Sequence, residues 1–235
     1  MPAERYYYPE KIEENTLIIF KDQEFHHLAN VMRTRIGEDV EIINGLGQLG
    51  TAVVKSLEKK QATLTVKTVF TEAVPTKALI LAQGIPRFTR LEYIMEKCTE
   101  LGMSEIWLFP AARSEKKDLS PNQMERLETI AIAAMKQCGR LYIPKIFLKP
   151  PLKHWSTLPI EASFFGDVRS EAPKLGKITS DVVFFVGPES GFTDEEIEKM
   201  EALHAKGVAL HPNILRTDTA AIAALAIISY STTPL

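Results

Sequence analysis

The chain has 235 residues, room for one large domain or two smaller ones. Its 45% hydrophobic and 25% charged content is ordinary for a soluble globular protein, and a net charge of −2 argues against a wholly basic nucleic-acid binder while leaving room for a local basic face. No apolar run approaches the roughly 18 residues of a membrane span, so no membrane association is expected. Two isolated cysteines, Cys98 and Cys138, make neither a disulfide framework nor a zinc site and fit a reducing cytoplasm.

Met1-Pro2-Ala3-Glu4-Arg5 lacks the apolar stretch of a secretory signal. Arg5-Tyr6-Tyr7-Tyr8 reads as an aromatic strand or as a platform for unpaired bases, and the strand is the plainer reading. His26 to Arg35 mixes imidazole, arginine and apolar residues. An amphipathic helix with a solvated face and a surface for phosphates fit that mixture equally well. Asp39–Asn44, Thr51–Leu57 and Ala62–Phe70 are rich in Val, Ile and Thr and predict strands of a small barrel or sheet. Gly45-Leu46-Gly47-Gln48-Leu49-Gly50 matches a dinucleotide-binding fingerprint, but a strand candidate follows where that fold needs a helix, so a glycine-rich hairpin turn is expected. Thr71–Thr76 reads as a linker.

From Ala78 the pattern alternates between strand and helix. Strands are predicted at Ala78–Gln83, Glu105–Phe109, Lys145–Leu148, Ala162–Phe165, Val182–Val186 and Val208–Leu210. Arg90–Leu101 has helical periodicity and stops at Gly102. Ser120-Pro121-Asn122-Gln123 opens a helix that ends near Gly139, and Thr193-Asp194-Glu195-Glu196 is a capping box for one ending at Gly207. The last helix, about Asp218 to Tyr230, is apolar nearly all round and must be buried in the core or against a partner. Such alternation implies a mostly parallel sheet with covered faces.

Two loops stand out. Val186-Gly187-Pro188-Glu189-Ser190-Gly191-Phe192 and Leu210-His211-Pro212-Asn213-Ile214-Leu215-Arg216-Thr217 each follow a strand candidate and run into a helix start. Two such units side by side form a crevice at the carboxyl ends of the strands, where open α/β sheets bind ligands. In the first loop the serine is one place late for a nucleophile elbow, which weakens a Ser/His hydrolase. No clustered His/Cys motif suggests a metal. Met135–Trp155 carries Lys136, Arg140, Lys145, Lys149 and Lys153 with no Asp or Glu. A solvated face is the usual meaning of such a run, and a surface facing a polyanion is the functional one.

In order along the chain, Arg5-Tyr6-Tyr7, His26-His27-Leu28, Val31-Met32-Arg33, Gly37-Glu38, Glu96-Lys97-Cys98-Thr99-Glu100-Leu101-Gly102, Gln137-Cys138-Gly139-Arg140, Pro144, Gly187-Pro188-Glu189, Gly191-Phe192 and Ile214-Leu215-Arg216-Thr217 form a specific set. Through them the chain resembles the bacterial small-subunit (16S) ribosomal RNA uridine-N3 methyltransferases of the SPOUT superfamily, the RsmE family. The resemblance implies an N-terminal PUA-like β-barrel over residues 1–73 that binds RNA. It implies an α/β domain over 76–235 tied in a trefoil knot. It further implies a cytoplasmic homodimer, S-adenosylmethionine as cofactor, and 16S ribosomal RNA or the small ribosomal subunit as partner. Val186, Gly187, Pro188, Glu189, Gly191, Leu210, Asn213, Ile214, Leu215 and Thr217 are then the candidate cofactor residues. Arg216 and Arg140 are the candidate catalytic residues, as electrostatic stabilisers of a uridine anion. Arg5, His26, His27, Arg33, Arg87 and Arg90 are the candidate RNA contacts. Three positions depart from the family pattern: Ser190 for a second glycine, His211-Pro212 for a glycine, and Asp218 for a glutamate. Pro212 also removes one backbone N–H from its loop. The rival readings are a non-catalytic RNA-binding or ribosome-assembly protein on this fold, a serine hydrolase, and a SPOUT enzyme acting at another RNA site.

Overall fold

A computed structural model describes residues 5–160, 162–169 and 171–232. Two compact units are present. The first runs to Val74 and takes in Ile132–Ile143; the second comprises Pro75–Ala131 and the chain from Pro144 onward.

The first unit is a five-stranded sheet: β1 (Arg5–Tyr7), β2 (Leu17–Lys21), β3 (Asp39–Ile43), β4 (Gln48–Leu57) and β5 (Gln61–Thr71), in the order β1-β3-β4-β5-β2. β1 is parallel to β3 and the other pairings are antiparallel. Tyr6, Ile18, Phe20, Ile42, Val54 and Leu64 point into one core. β2 is absent from the expectations above because Leu17-Ile18-Ile19-Phe20 is apolar throughout, which hides the period of two. In the fold Ile18 and Phe20 are buried while Leu17 and Ile19 face outward. After β2 come a short helix α1 (Asp22–His26) and a π-turn (His27–Val31), which bury Leu28. The amphipathic helix read at His26–Arg35 therefore covers only part of that stretch. Ile132–Ile143 joins this unit because Met135 and Leu141 pack on Ile43.

The glycine-rich motif is the β3–β4 turn, as expected. Gly45 and Gly47 have φ of 71° and 93°, and Asn44 Oδ1 accepts from the amides of Leu46 and Gln48 at 2.9 and 3.1 Å. Glycine is required here for the left-handed backbone, and at Gly47 also because a Cβ would run into the Tyr142 ring.

The second unit is a six-stranded, fully parallel sheet: β6 (Leu79–Gly84), β7 (Glu105–Phe109), β8 (Lys145–Leu148), β9 (Ala162–Gly166), β10 (Val182–Val186) and β11 (Lys206–Val208), ordered β11-β9-β10-β6-β7-β8. β6 and β10 lie in the middle and are buried along their whole length, as a sheet covered on both faces requires. Among the described residues, α2 (Phe88–Glu100), the first part of α3 (Pro121–Cys138), a 3-10 turn (Leu152–His154), α4 (Asp194–Ala202) and α5 (Thr217–Thr232) accompany this sheet. On one face Ile80, Ala82, Val183 and Phe185 meet Met200 of α4, and an aromatic group of Phe109, Trp155 and Phe185 fills the layer. α5 packs on β6, β10 and α2, burying Ala221, Ala224, Leu225 and Ile228. Both expected capping boxes are present, at Ser120 with Gln123 and at Thr193 with Glu196. Among the described residues no helix is long and apolar enough to cross a membrane.

Three expectations need correction. The helix opened by Thr193 ends at Ala202, not at Gly207, because His204 adopts a left-handed backbone with φ 65°. Gly207 is instead the middle residue of β11, where a side chain would collide with the Asp167 carboxylate and the Phe165 ring. The strand placed at Val208–Leu210 runs from Lys206 to Val208. Finally, β11 is not beside β10: β9 lies between them.

Gly47→Ala is expected to lower unfolding free energy by about 1–3 kcal/mol, through the left-handed backbone and displacement of Tyr142, as read by urea denaturation. Cys98 is fully buried in α2 and that burial pushes its thiol pKa up. Iodoacetamide at mildly alkaline pH should therefore leave Cys98 unmodified until the protein unfolds, which peptide mass mapping with and without urea will test.

Candidate active site

The carboxyl ends of β6 and β10 meet at Gln83, a lone polar side chain closing the apolar run Leu79–Ala82. It is fully buried. Its Nε2 points at four acceptors: Gly84 O at 2.9 Å, Thr217 Oγ1 at 3.1 Å, Gly187 O at 3.2 Å and Val186 O at 3.3 Å. Thr217 Oγ1 in turn donates to Gly187 O at 2.6 Å. So the two loops singled out in the sequence do converge, although their strands are not neighbours. Gln83 Oε1 is buried and finds no donor among the described residues. An unmet buried acceptor costs about 1–3 kcal/mol.

Around this junction the wall is mostly backbone. A Cβ on Gly84 would come within 2.9 Å of Pro188 Cδ, and one on Gly187 within 3.1 Å of the Gly191 backbone. The loop thus folds tightly onto itself, with Gly191 N–H donating to Pro188 O at 2.9 Å and Gly191 left-handed at φ 68°. Arg113 Nη1 holds it from outside through the carbonyls of Ser190 and Phe192, both at 3.0 Å. Phe192 stacks on Phe109 with an interplanar angle of 5°. Glu196 of the capping box also accepts from the Ala112 amide at 2.8 Å.

A charged lattice braces the junction. Arg90, on the first turn of α2, pairs with Glu189 at 3.4 Å and with Asp218 Oδ2 at 3.0 Å. Glu189 also accepts the Arg87 amide at 3.1 Å. One guanidinium therefore ties α2, the Gly187–Phe192 loop and the start of α5. Asp218 Oδ1 is buried and, among the described residues, lacks a donor. The Arg87 side chain pairs with Glu115 at 2.7 Å on the surface, which raises the arginine's pKa and lowers the carboxylate's. Such an exposed pair is weak and readily exchanged for another anion, so Arg87 keeps its candidacy as a phosphate contact. Arg90 is committed to the lattice.

The second loop is open to solvent. His211, Pro212, Asn213 and Ile214 are exposed, Ile214 by 81%, while Leu210 and Leu215 are half-buried. His211 Nδ1 accepts the Asn213 amide at 3.0 Å, so the histidine takes up an N–H that the glycine it replaces could not. Arg216 is exposed just before α5.

The remaining candidates lie in the first unit. Arg5 is a structural tie, bonded to Glu41 at 2.8 Å and to Gly139 O at 2.7 Å. His26 is exposed beside Asn30, and the His27 ring packs on Tyr6 at 5.5 Å. Arg33 is exposed and left-handed with φ 56°, a strained conformation of the kind that marks functional loops. Arg140 is half-buried, and that burial lowers its pKa. The acid-free lysine run is partly structural: Lys136 pairs with Glu24 at 2.8 Å, and Lys149 lies over the Trp107 ring at 4.7 Å. Gln83 and Arg113 were missed in the sequence. A glutamine ending an otherwise apolar central strand was the available signal for the first; nothing marked the second.

Residues 73–229 match the RNA methyltransferase domain family and residues 20–67 the RNA methyltransferase PUA domain family. The chain is 30% identical to the ribosomal RNA small subunit methyltransferase E of Bacillus subtilis, over 95% of this chain and 93% of that one. The ribosomal RNA small subunit methyltransferase E of Neisseria gonorrhoeae, solved bound to S-adenosylmethionine, superposes with a TM-score of 0.86 at 28% identity, covering 96% of each chain. A Legionella pneumophila protein solved with the same cofactor gives 0.89 at 27% identity over the full length of both. With a family match over most of its length and a junction of strand ends and bare loops in the matched region, the chain belongs to the ribosomal RNA small subunit methyltransferase E family.

Proposed function

We infer that the protein is an S-adenosylmethionine-dependent methyltransferase acting on N3 of a uridine in 16S ribosomal RNA, in the assembled small subunit. The observation that carries this reading is the meeting of the Gly187–Gly191 turn with Thr217 at the ends of β6 and β10, beside the uncovered Ile214. The residues suit the cofactor. Glycine backbone allows close approach, main-chain amides and carbonyls can read an adenine without a charged side chain, and Ile214 with Leu215 offers an apolar wall for its ring. When bound, the cofactor supplies an electrophilic methyl group on a sulfonium.

This chain's residues then have distinct tasks. Val186 to Gly191, with Leu210 and Asn213 to Leu215, line the cofactor cleft. Glu189 acts in the bracing lattice, which agrees with its bonds to Arg87 and Arg90. Arg216 is the exposed cation at the mouth of the second loop and favours the uridine anion at N3. Holding both reactants in register accounts for much of the remaining acceleration. Arg33, His26 and Arg87 contact phosphates; their exposure supports this. The knotted topology, the cytoplasmic setting and a homodimer using the apolar α5 belong to the same reading.

Transfer of labelled methyl from S-adenosylmethionine onto unmodified small subunits, followed by nucleoside analysis, should yield 3-methyluridine; another methylated nucleoside would refute the substrate assignment. Arg216→Ala is expected to lower kcat by roughly 10²–10³-fold with cofactor affinity changed less than about twofold, by steady-state kinetics and calorimetry. Arg33→Glu should weaken RNA binding and flatten its salt dependence, as a lost phosphate contact does.

A further inference from the structure

We propose that Gln83 is a positioning residue for methyl-donor binding: its amide sets the spacing of the loops after β6, β10 and β11 that form the cofactor cleft. The inference rests on the methyltransferase reading above. It assigns a role to a residue that touches neither reactant.

The argument begins with which amide atom faces which neighbour. Nε2 carries two N–H groups and no lone pair, and all four of its neighbours within hydrogen-bond reach are oxygens: the carbonyls of Gly84, Val186 and Gly187 and the hydroxyl of Thr217. The opposite rotamer would set Oε1 against three carbonyl oxygens, so the orientation is dictated. That orientation leaves Oε1 buried without a donor. A side chain needed only to fill space at the end of β6 would be Leu or Met, with no orphan atom. The glutamine is explained by what its donors do.

Those donors act where repulsion would otherwise build up. The carbonyls of Gly84, Val186 and Gly187 converge on one point at the ends of adjacent strands. Thr217 already bonds Gly187 O at 2.6 Å, yet its single hydroxyl cannot serve all three. Gln83 supplies the remaining N–H donors and fixes the start of α5 against the turn after β10. Gly84, packed on Pro188, and Gly187, packed on Gly191, allow no slack that could absorb a shift. A change at Gln83 is therefore transmitted to the 187–191 turn and to the Asn213–Leu215 segment just ahead of Thr217. The candidate RNA contacts Arg33 and His26 belong to the other compact unit.

The test uses the full-length protein with S-adenosylmethionine and unmodified small subunits. Gln83→Glu keeps shape but replaces the donors with a group that repels the same carbonyls; Gln83→Leu removes them. Both are expected to weaken S-adenosylmethionine binding by roughly 10- to 100-fold in calorimetry and to raise its KM alike. The KM for the small subunit should stay within about twofold. Thr217→Val and Thr217→Ser provide a pair at the α5 end of the same buried network, should either glutamine variant fail to fold. The serine, which keeps the hydroxyl, should bind at least about fivefold tighter than the valine. Cofactor affinity within about twofold of the parent in the folded glutamine variants, equal affinities in the threonine pair, or an equal rise in both KM values would overturn the proposal. If the parent itself binds no S-adenosylmethionine, the methyltransferase reading falls first and this inference with it.

Discussion

The carbonyl of Gly187 receives hydrogen bonds from two side chains, Thr217 Oγ1 at 2.6 Å and Gln83 Nε2 at 3.2 Å. These bonds, spanning 30 and 104 residues of sequence, join three segments into one junction. The site depends on it. β6 and β10 are adjacent in the sheet, but the strand that leads into the second loop, β11, lies at the sheet edge beyond β9. Only a return of the chain towards β10 and β6 brings Thr217 to Gly187, and α5 then packs on both strands. The arrangement satisfies the general rule that ligands sit at the carboxyl ends of parallel strands where the winding direction changes.

A site made of main chain tolerates unusual side chains. Ser190 enters the network through its carbonyl, which Arg113 grips, so the side chain at that position is not part of the bond. Asp218 still reaches Arg90 despite its shorter side chain, at 3.0 Å. His211 closes its loop through the Asn213 amide, next to a proline that has no N–H of its own to offer. Each of the three departures from the family pattern thus takes part in a hydrogen bond or ion pair.

Local rules carried far along this chain because its elements are consistent with them. The two capping boxes, the left-handed Gly102 after α2 and the glycine turn between β3 and β4 form from neighbours within a few residues, and each was legible. Gly207 shows where such reasoning stops. A glycine after a helical pattern looks like a cap, but here its missing Cβ makes room for Phe165 of β9 and for Asp167 just beyond it. β2 was invisible because its outward face is as apolar as its inward one. The pairing of Arg90 with Glu189 and Asp218 was not legible either, because nothing local shows that carboxylates from such distant segments will meet it.

The order of strands and helices from β6 onward, the two glycine-rich turns and the family were determined by the sequence alone, since they rest on short-range periodicity, capping and motif order. Strand order, the burial of Gln83 and the pairing of Arg90 were decided only in three dimensions. Hydrogen bonds and ion pairs between distant segments follow from which strand ends are brought together, and no local pattern of residues encodes that.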